Sequence, residues 1–143
     1  MAGNLDLTFN NSGYIIGDLQ NSVISSIQLQ DDKIVIAGYD ENYFAFLARY
    51  NSNGTIDDTF GISGFVNTIN TIETSDQSST MIVLPNTNNE ILILCNNSGT
   101  LAIKRFDNNG TYINVLNILD NPSFNLIIFN TIQKYLSTDN FVV

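Results

Sequence analysis

The chain states one phrase twice. Gly3-Asn4-Leu5-Asp6-Leu7-Thr8-Phe9-Asn10-Asn11-Ser12-Gly13-Tyr14 returns as Gly54-Thr55-Ile56-Asp57-Asp58-Thr59-Phe60-Gly61-Ile62-Ser63-Gly64-Phe65. The offset is 51 positions (54 minus 3), and the shared pattern is Gly-x-(Leu/Ile)-Asp-x-Thr-Phe-x-x-Ser-Gly-aromatic. A period of about 50 residues marks copies of one small supersecondary unit, stacked in line or set radially. One such unit cannot bury its own apolar faces, so neighbouring units must cover them. The duplication therefore constrains architecture far more than chemistry.

Between the two phrases the chain reads as short strands separated by turns. Val23–Leu29 and Lys33–Gly38 flank the turn Gln30-Asp31-Asp32. The second of these strands is apolar on both faces, which predicts that it is sandwiched. Tyr43–Tyr50 follows, with Phe44, Phe46, Ala48 and Tyr50 on one face and Ala45, Leu47 and Arg49 on the other. Asn53-Gly54 is a hairpin turn signal, and Gly64–Thr68 reads as a fourth strand. The order then restarts with Thr80–Leu84, Glu90–Cys95, Thr100–Phe106 and Tyr112–Ile118. Asp107-Asn108-Asn109-Gly110 mirrors Asn51-Ser52-Asn53-Gly54 at an offset of 56 (110 minus 54). A third copy begins near Phe124, and Thr138–Val143 resembles Asp31–Ile36 in sequence. No helical periodicity of useful length is present.

The spacing predicts an all-β fold of repeated antiparallel four-stranded blades, a partial propeller of about two and a half repeats. It predicts one domain over residues 1–143, with units at 13–68, 69–118 and an incomplete 119–143. Gly13–Gly17 reads as the last strand of a blade, and Asn140–Val143 as the second strand of another. Unpaired edges of this kind template association with other chains.

The stretches Asp32-Lys33-Ile34-Val35-Ile36-Ala37-Gly38 and Leu47-Ala48-Arg49-Tyr50-Asn51-Ser52-Asn53-Gly54-Thr55-Ile56-Asp57-Asp58-Thr59-Phe60-Gly61 resemble the delta-60 repeat family of β-propeller-like proteins. Residues 3–14 match one further motif end, residues 90–110 match loosely and residues 111–143 poorly. Ile113 and Asn114 stand where Asp57 and Asp58 stood, so the third motif has decayed. The resemblance implies a four-stranded, blade-like unit and implies no catalysis.

Composition removes several function classes. Five Lys/Arg against fourteen Asp/Glu give a net charge of -9. That balance opposes binding to a nucleic-acid backbone or to an anionic lipid surface. The chain has no histidine, which removes the commonest general base and the usual Ser-His and Cys-His dyads. Cys95 is the single cysteine, lies in an apolar run and reads as a small core residue. Neither a signal peptide nor a membrane-spanning run is visible, and the compartment is left undetermined.

Six residues stand out as a structural motif: Asp6, Phe9, Arg49, Asp57, Phe60 and Arg105. Asp6 and Asp57 occupy equivalent places and read as turn acceptors or as partners for Arg49, in preference to calcium ligands, since no Asp-x-Asp-x-Asp-Gly loop exists. Arg49 and Arg105 sit on otherwise apolar strand faces, where a guanidinium needs a carboxylate or carbonyls. Phe9 and Phe60 read as core between units. The acid pairs Asp31-Asp32, Asp40-Glu41 and Asp57-Asp58 read as solvated turn charge. The Asn-x-Ser/Thr triplets at Asn10, Asn53, Asn96 and Asn109 are glycosylation acceptors in pattern, although Asn53 and Asn109 also suit their turns.

These features point to a non-enzymatic structural or interaction module, with no cofactor and no metal. The expected partners are other proteins or the chain itself through strand edges, as a homo-oligomer or as part of a longer array. A carbohydrate-binding or other ligand-binding module, using loops such as Asp40–Tyr43, is the alternative. A hydrolase or lyase with facing carboxylates is the third reading.

Overall fold

The computed structural model describes residues 3–17, 21–42, 44–67, 77–83, 89–97 and 100–119. Among these residues all regular structure is extended, and none is helical. The elements are β1 (Val23–Gln30), β2 (Lys33–Tyr39), β3 (Ala45–Tyr50), β4 (Phe65–Asn67), β5 (Gln77–Val83), β6 (Ile91–Asn97), β7 (Thr100–Phe106) and β8 (Tyr112–Leu119). They form two antiparallel four-stranded sheets, ordered β1-β2-β3-β4 and β5-β6-β7-β8. The expected third copy, from residue 120 to the strand Asn140–Val143, lies outside the described residues.

The first three strands of the two sheets are built alike, including one irregularity. In the first, the β1–β2 register passes from Ile24↔Gly38 to Ser26↔Ala37 and skips Ser25. In the second, the β5–β6 register passes from Ser78↔Cys95 to Thr80↔Leu94 and skips Ser79. The central hairpins also correspond: Ile34↔Tyr50 and Val35↔Arg49 match Ile91↔Phe106 and Leu92↔Arg105.

The turns after β3 and β7 agree bond for bond. Asn51 N–H donates to the Thr55 carbonyl and Gly54 N–H to that of Asn51, at 2.8 and 2.9 Å. Asp107 N–H donates to Thr111 and Gly110 N–H to Asp107, at 2.8 and 3.1 Å. Gly54 and Gly110 both take φ of +84°, a left-handed conformation that an L side chain resists. A Cβ on Gly110 would also lie 2.9 Å from the Phe60 ring and 2.5 Å from Val66 Cγ2. Gly110→Ala is expected to cost more than about 1 kcal/mol, read from the urea midpoint.

Alternation along β2 and β3 sends two apolar sets in opposite directions. Val35, Ala37 and Leu47 join Phe60, Ile91, Ile93 and Phe106 in one fully buried cluster, so it includes residues of both sheets. Ile36, Phe46, Ala48 and Tyr50 form a second cluster with Ile15, Ile34 and Phe65 on the other face of the first sheet. The sandwiched reading of β2 therefore describes both of its faces. In register terms, the second sheet turns its Ile91/Ile93/Phe106 face toward the first sheet. The matching face of the first sheet, Ile34/Ile36/Tyr50, points away from the second.

One expectation needs correction. Gly13–Gly17 is not a strand. The fourth strand of the first sheet pairs with its own β3 through Ala48↔Phe65, and residues 13–17 follow a motif that has no such β3 beside it among the described residues. Their Ile15 packs instead on the outer cluster of the first sheet. The second sheet also differs from the first beyond its central hairpin. After β3 the chain leaves the sheet through residues 57–64 before Phe65 returns. After β7 no such excursion occurs: Tyr112 pairs with Phe106 and Asn114 with Arg105. The decay of the motif at Ile113-Asn114 is thus a hairpin that closes directly.

Candidate functional site

The excursion 57–64 carries the conspicuous chemistry. Asp57 N–H donates to the Arg49 carbonyl at 2.9 Å, and Phe60 N–H donates to the Asp57 carbonyl at 3.0 Å. Asp57 Oδ1 accepts from the Thr59 hydroxyl at 2.6 Å and from Thr59 N–H at 3.3 Å, closing an Asx turn. Its other oxygen, Oδ2, accepts from Arg49 Nε and Lys33 Nζ, each at 2.6 Å. Arg49 Nη1 donates to Gln30 Oε1 at 2.8 Å and to the Asn108 carbonyl. The guanidinium also stands 4.6 Å from the centroid of the Phe60 ring, within cation–π range.

Asp57, Arg49 and Gln30 are all buried, which corrects the reading of Asp57 as solvated turn charge, while Asp58 is exposed. The reason is the arginine. A guanidinium on an inward-facing strand position must be neutralised, and the excursion folds a carboxylate back onto it. Burial by itself would push the Asp57 carboxyl up. The hydrogen bonds from Lys33, Thr59 and Arg49, with the Arg49 charge, overcome this and hold it well below the usual carboxylate range. An unfolded Asp titrates near ~3.9. Below that pH the unfolded chain takes up a proton that the folded chain refuses, so acid should lower stability. Asp57→Asn should shrink the difference between urea midpoints at pH 7 and pH 3.

The same excursion fastens one sheet to the other. Gly61 N–H donates to the Asn109 carbonyl at 2.8 Å, and the fully buried Phe60 lies against Gly110. The N-terminal phrase makes an identical fastening on the first sheet. Asn10 N–H donates to the Asn53 carbonyl at 2.6 Å, and Phe9 lies against Gly54. Phe9 N–H donates to the Asp6 carbonyl at 3.0 Å, and Gly13 N–H to the Phe9 carbonyl at 2.7 Å, as Gly64 does to Phe60 at 2.9 Å. Phe9 and Phe60 therefore hold superimposable places. Asp6 is exposed, and its carboxylate accepts only from Thr8 among the hydrogen bonds of the described side chains, which lowers its pKa.

Arg105 repeats Arg49 with a different partner. Its Nη2 donates to Glu90 Oε1 and Oε2 at 2.9 and 2.8 Å. Glu90 stands directly before Ile91, as Lys33 stands before Ile34, and Ile113 stands in the place of Asp57. The carboxylate has moved from the excursion to the residue just before β6, and the lysine has gone. Sequence reading missed Glu90. Setting the two central hairpins side by side would have shown an acid gained at the Lys33 position where one was lost at the Asp57 position.

Beside this network a polar crevice of about 230 Å³ opens, lined by residues that include Asp31, Lys33, Arg49, Asn89 and Asn109. Gln30 Nε2 donates across it to the Asn89 carbonyl at 2.6 Å, and Asn89 Nδ2 to Asp31 Oδ2 at 2.7 Å. Among the described residues no cluster of three or more Asp, Glu, Cys or His is placed to hold a metal ion. On the far face of the first sheet lies an apolar groove of about 310 Å³, lined in part by Phe9, Ile15, Ile27, Ile34, Ile36 and Tyr50. Of the alternative ligand loop Asp40–Tyr43, Asp40 Oδ1 accepts from Asn42 and Phe44 N–H at 2.8 and 3.0 Å, an ordinary turn, and Tyr43 lies outside the described residues.

Residues 29–60 match the family described as "Domain of unknown function (DUF5122) beta-propeller". That segment runs from the end of β1 through the central hairpin to Phe60, and so holds Lys33, Arg49, Asp57 and Phe60 together. No curated protein and no solved structure matches the chain.

Proposed function

We propose that this chain is a non-enzymatic structural and interaction module that works through sheet faces and strand edges and associates with itself. Its units are blades of a partial propeller of the delta-60 repeat kind, at 13–68, 69–118 and an incomplete 119–143. The observation that carries this reading is the fate of the buried charge. Arg49 and Asp57 are consumed by one another and by Gln30, Lys33 and Thr59 of the same unit, and Arg49 reaches across to the Asn108 carbonyl of the next. A reaction needs polar groups left over for a substrate, and this network spends its own on cohesion. Sedimentation velocity across a hundredfold concentration range tests the reading. Species heavier than the monomer are expected, and a monomer throughout would overturn self-association.

The polar crevice favours a second reading, as a binding module for a small polyhydroxylated ligand such as a sugar. A saturable rise in melting temperature with a monosaccharide panel would support it. No shift is expected under the first reading.

A further inference from the structure

We propose that the polar crevice is a binding site for a small amino sugar, a polyhydroxylated monocation whose ammonium meets Asp31 and Asp32 while its hydroxyl oxygens accept from Arg49 and Lys33. It rests on the second, ligand-binding reading above and adds to it the charge of the ligand and the groups that recognise it. The crevice, about 230 Å³, opens where the turn between β1 and β2 meets Asn89 and the turn at Asn108-Asn109 of the other sheet. Among the described residues that line it, none is aromatic or aliphatic. A ligand is therefore held there by hydrogen bonds and charge, and not by apolar burial.

One edge of a buried guanidinium is open to this space. Arg49 lines the crevice although only 5% of the residue is exposed. Its Nε donates to Asp57 and its Nη1 to Gln30 and the Asn108 carbonyl, whereas Nη2 takes part in no hydrogen bond among the described residues. Nη2 is also not one of the fully buried polar atoms that lack a partner, so it reaches the space that the side chain lines, with two N–H groups to offer. Lys33 Nζ, on a side chain 33% exposed, gives one donor to Asp57 and keeps two. On the acceptor side, Asp31 Oδ2 accepts from Asn89, while Asp31 Oδ1 and both carboxylate oxygens of Asp32 accept from no group among the described residues. Arg49 and Lys33 share the one carboxylate of Asp57, and Asp31 and Asp32 add two more. Two cations against three carboxylates leave one negative charge in excess, in a chain whose net charge is -9. An anion is repelled, and a neutral sugar leaves that excess unbalanced. A monocation balances it, and hydroxyl oxygens give the two cationic side chains neutral acceptors. A protonated amino sugar carries both features in one small molecule.

Calorimetric titration of the full chain at low salt and about pH 6, where an amine is protonated, with glucosamine, glucose, N-acetylglucosamine and ethanolamine tests this. Glucosamine is expected to bind saturably, and more weakly as salt is added. Glucose and N-acetylglucosamine, which lack the ammonium, and ethanolamine, which lacks the sugar ring, should each bind at least about tenfold more weakly. Asp32→Asn, at an exposed turn residue, should lower glucosamine affinity by about tenfold with the melting temperature unchanged. Asp31→Asn should do the same, since Asn also tolerates the φ of +56° found there. Asp58→Asn removes an equal charge from an exposed residue outside the crevice lining and should leave binding unchanged. If glucose binds as tightly as glucosamine, the ammonium is not recognised, and the amino-sugar inference fails while the sugar-binding reading stands. If ethanolamine matches glucosamine, or Asp58→Asn weakens binding as much as Asp32→Asn, bulk charge alone attracts the amine and the inference fails. Absence of binding by all three sugars overturns it together with the reading on which it rests.

Discussion

Asp57→Ile is expected to destabilise the protein by about 3–5 kcal/mol, the cost of leaving a buried cation without its counter-charge. The variant leaves Arg49 buried among Gln30, the Asn108 carbonyl and the Phe60 ring, without the carboxylate to which its Nε now donates. It also frees the Thr59 amide and hydroxyl that Asp57 Oδ1 now caps. The second sheet shows how the loss can be repaired, since Arg105 lives beside Ile113 by taking its carboxylate from Glu90. Adding Lys33→Glu to Asp57→Ile should therefore restore about 1.5–3 kcal/mol, the worth of hydrogen bonds to a charged group. Lys33→Glu alone should destabilise, because it crowds a second carboxylate against Asp57. Chemical denaturation of the four proteins of this cycle gives the coupling directly. Simple addition of the two single effects would show that the carboxylate positions are not interchangeable.

Phe60→Ala is expected to cost a similar amount, about 3–5 kcal/mol. The ring is fully buried in the cluster shared by the sheets and carries the cation–π contact to Arg49. Its removal opens a void where no backbone can close in, since the Gly61–Asn109 hydrogen bond fixes the excursion at its distance from the second sheet. The loss should fall on the contact between sheets. Amide exchange should accelerate in β6 and β7 more than in the β1–β2 hairpin. Phe9→Ala, at a half-buried ring against an open groove, should cost much less in the same denaturation assay.

Strand positions, face assignments and turn identities were legible in the sequence because each follows from local rules. Alternation placed Phe46, Ala48 and Tyr50 opposite Ala45, Leu47 and Arg49, and the register gives that division. Asn-Gly chemistry located the turns. The burial of Asp57 was harder to read, since an Asp-Asp pair in a turn looks solvated until the excursion is seen to fold back on Arg49. Glu90 was hidden because its partner is not adjacent in sequence, and the two copies neutralise their arginines from different places, the excursion in one and the residue before β6 in the other. The crevice depends on how closely turns from two sheets approach, which no single segment encodes. Gly13–Gly17 misled because strand-like composition requires a neighbour before it becomes a strand.

The residue skipped near the start of each sheet, Ser25 in one and Ser79 in the other, has a consequence for solubility. β1 lies at the margin of its sheet and carries Val23, Ile24, Ile27 and Leu29 in the open, a composition that invites fibrillar growth. An extra residue puts a bend and added coil into such a margin, so an incoming straight ribbon finds no continuous row of donors and acceptors to copy. The irregularity thus interrupts the ladder along a greasy border.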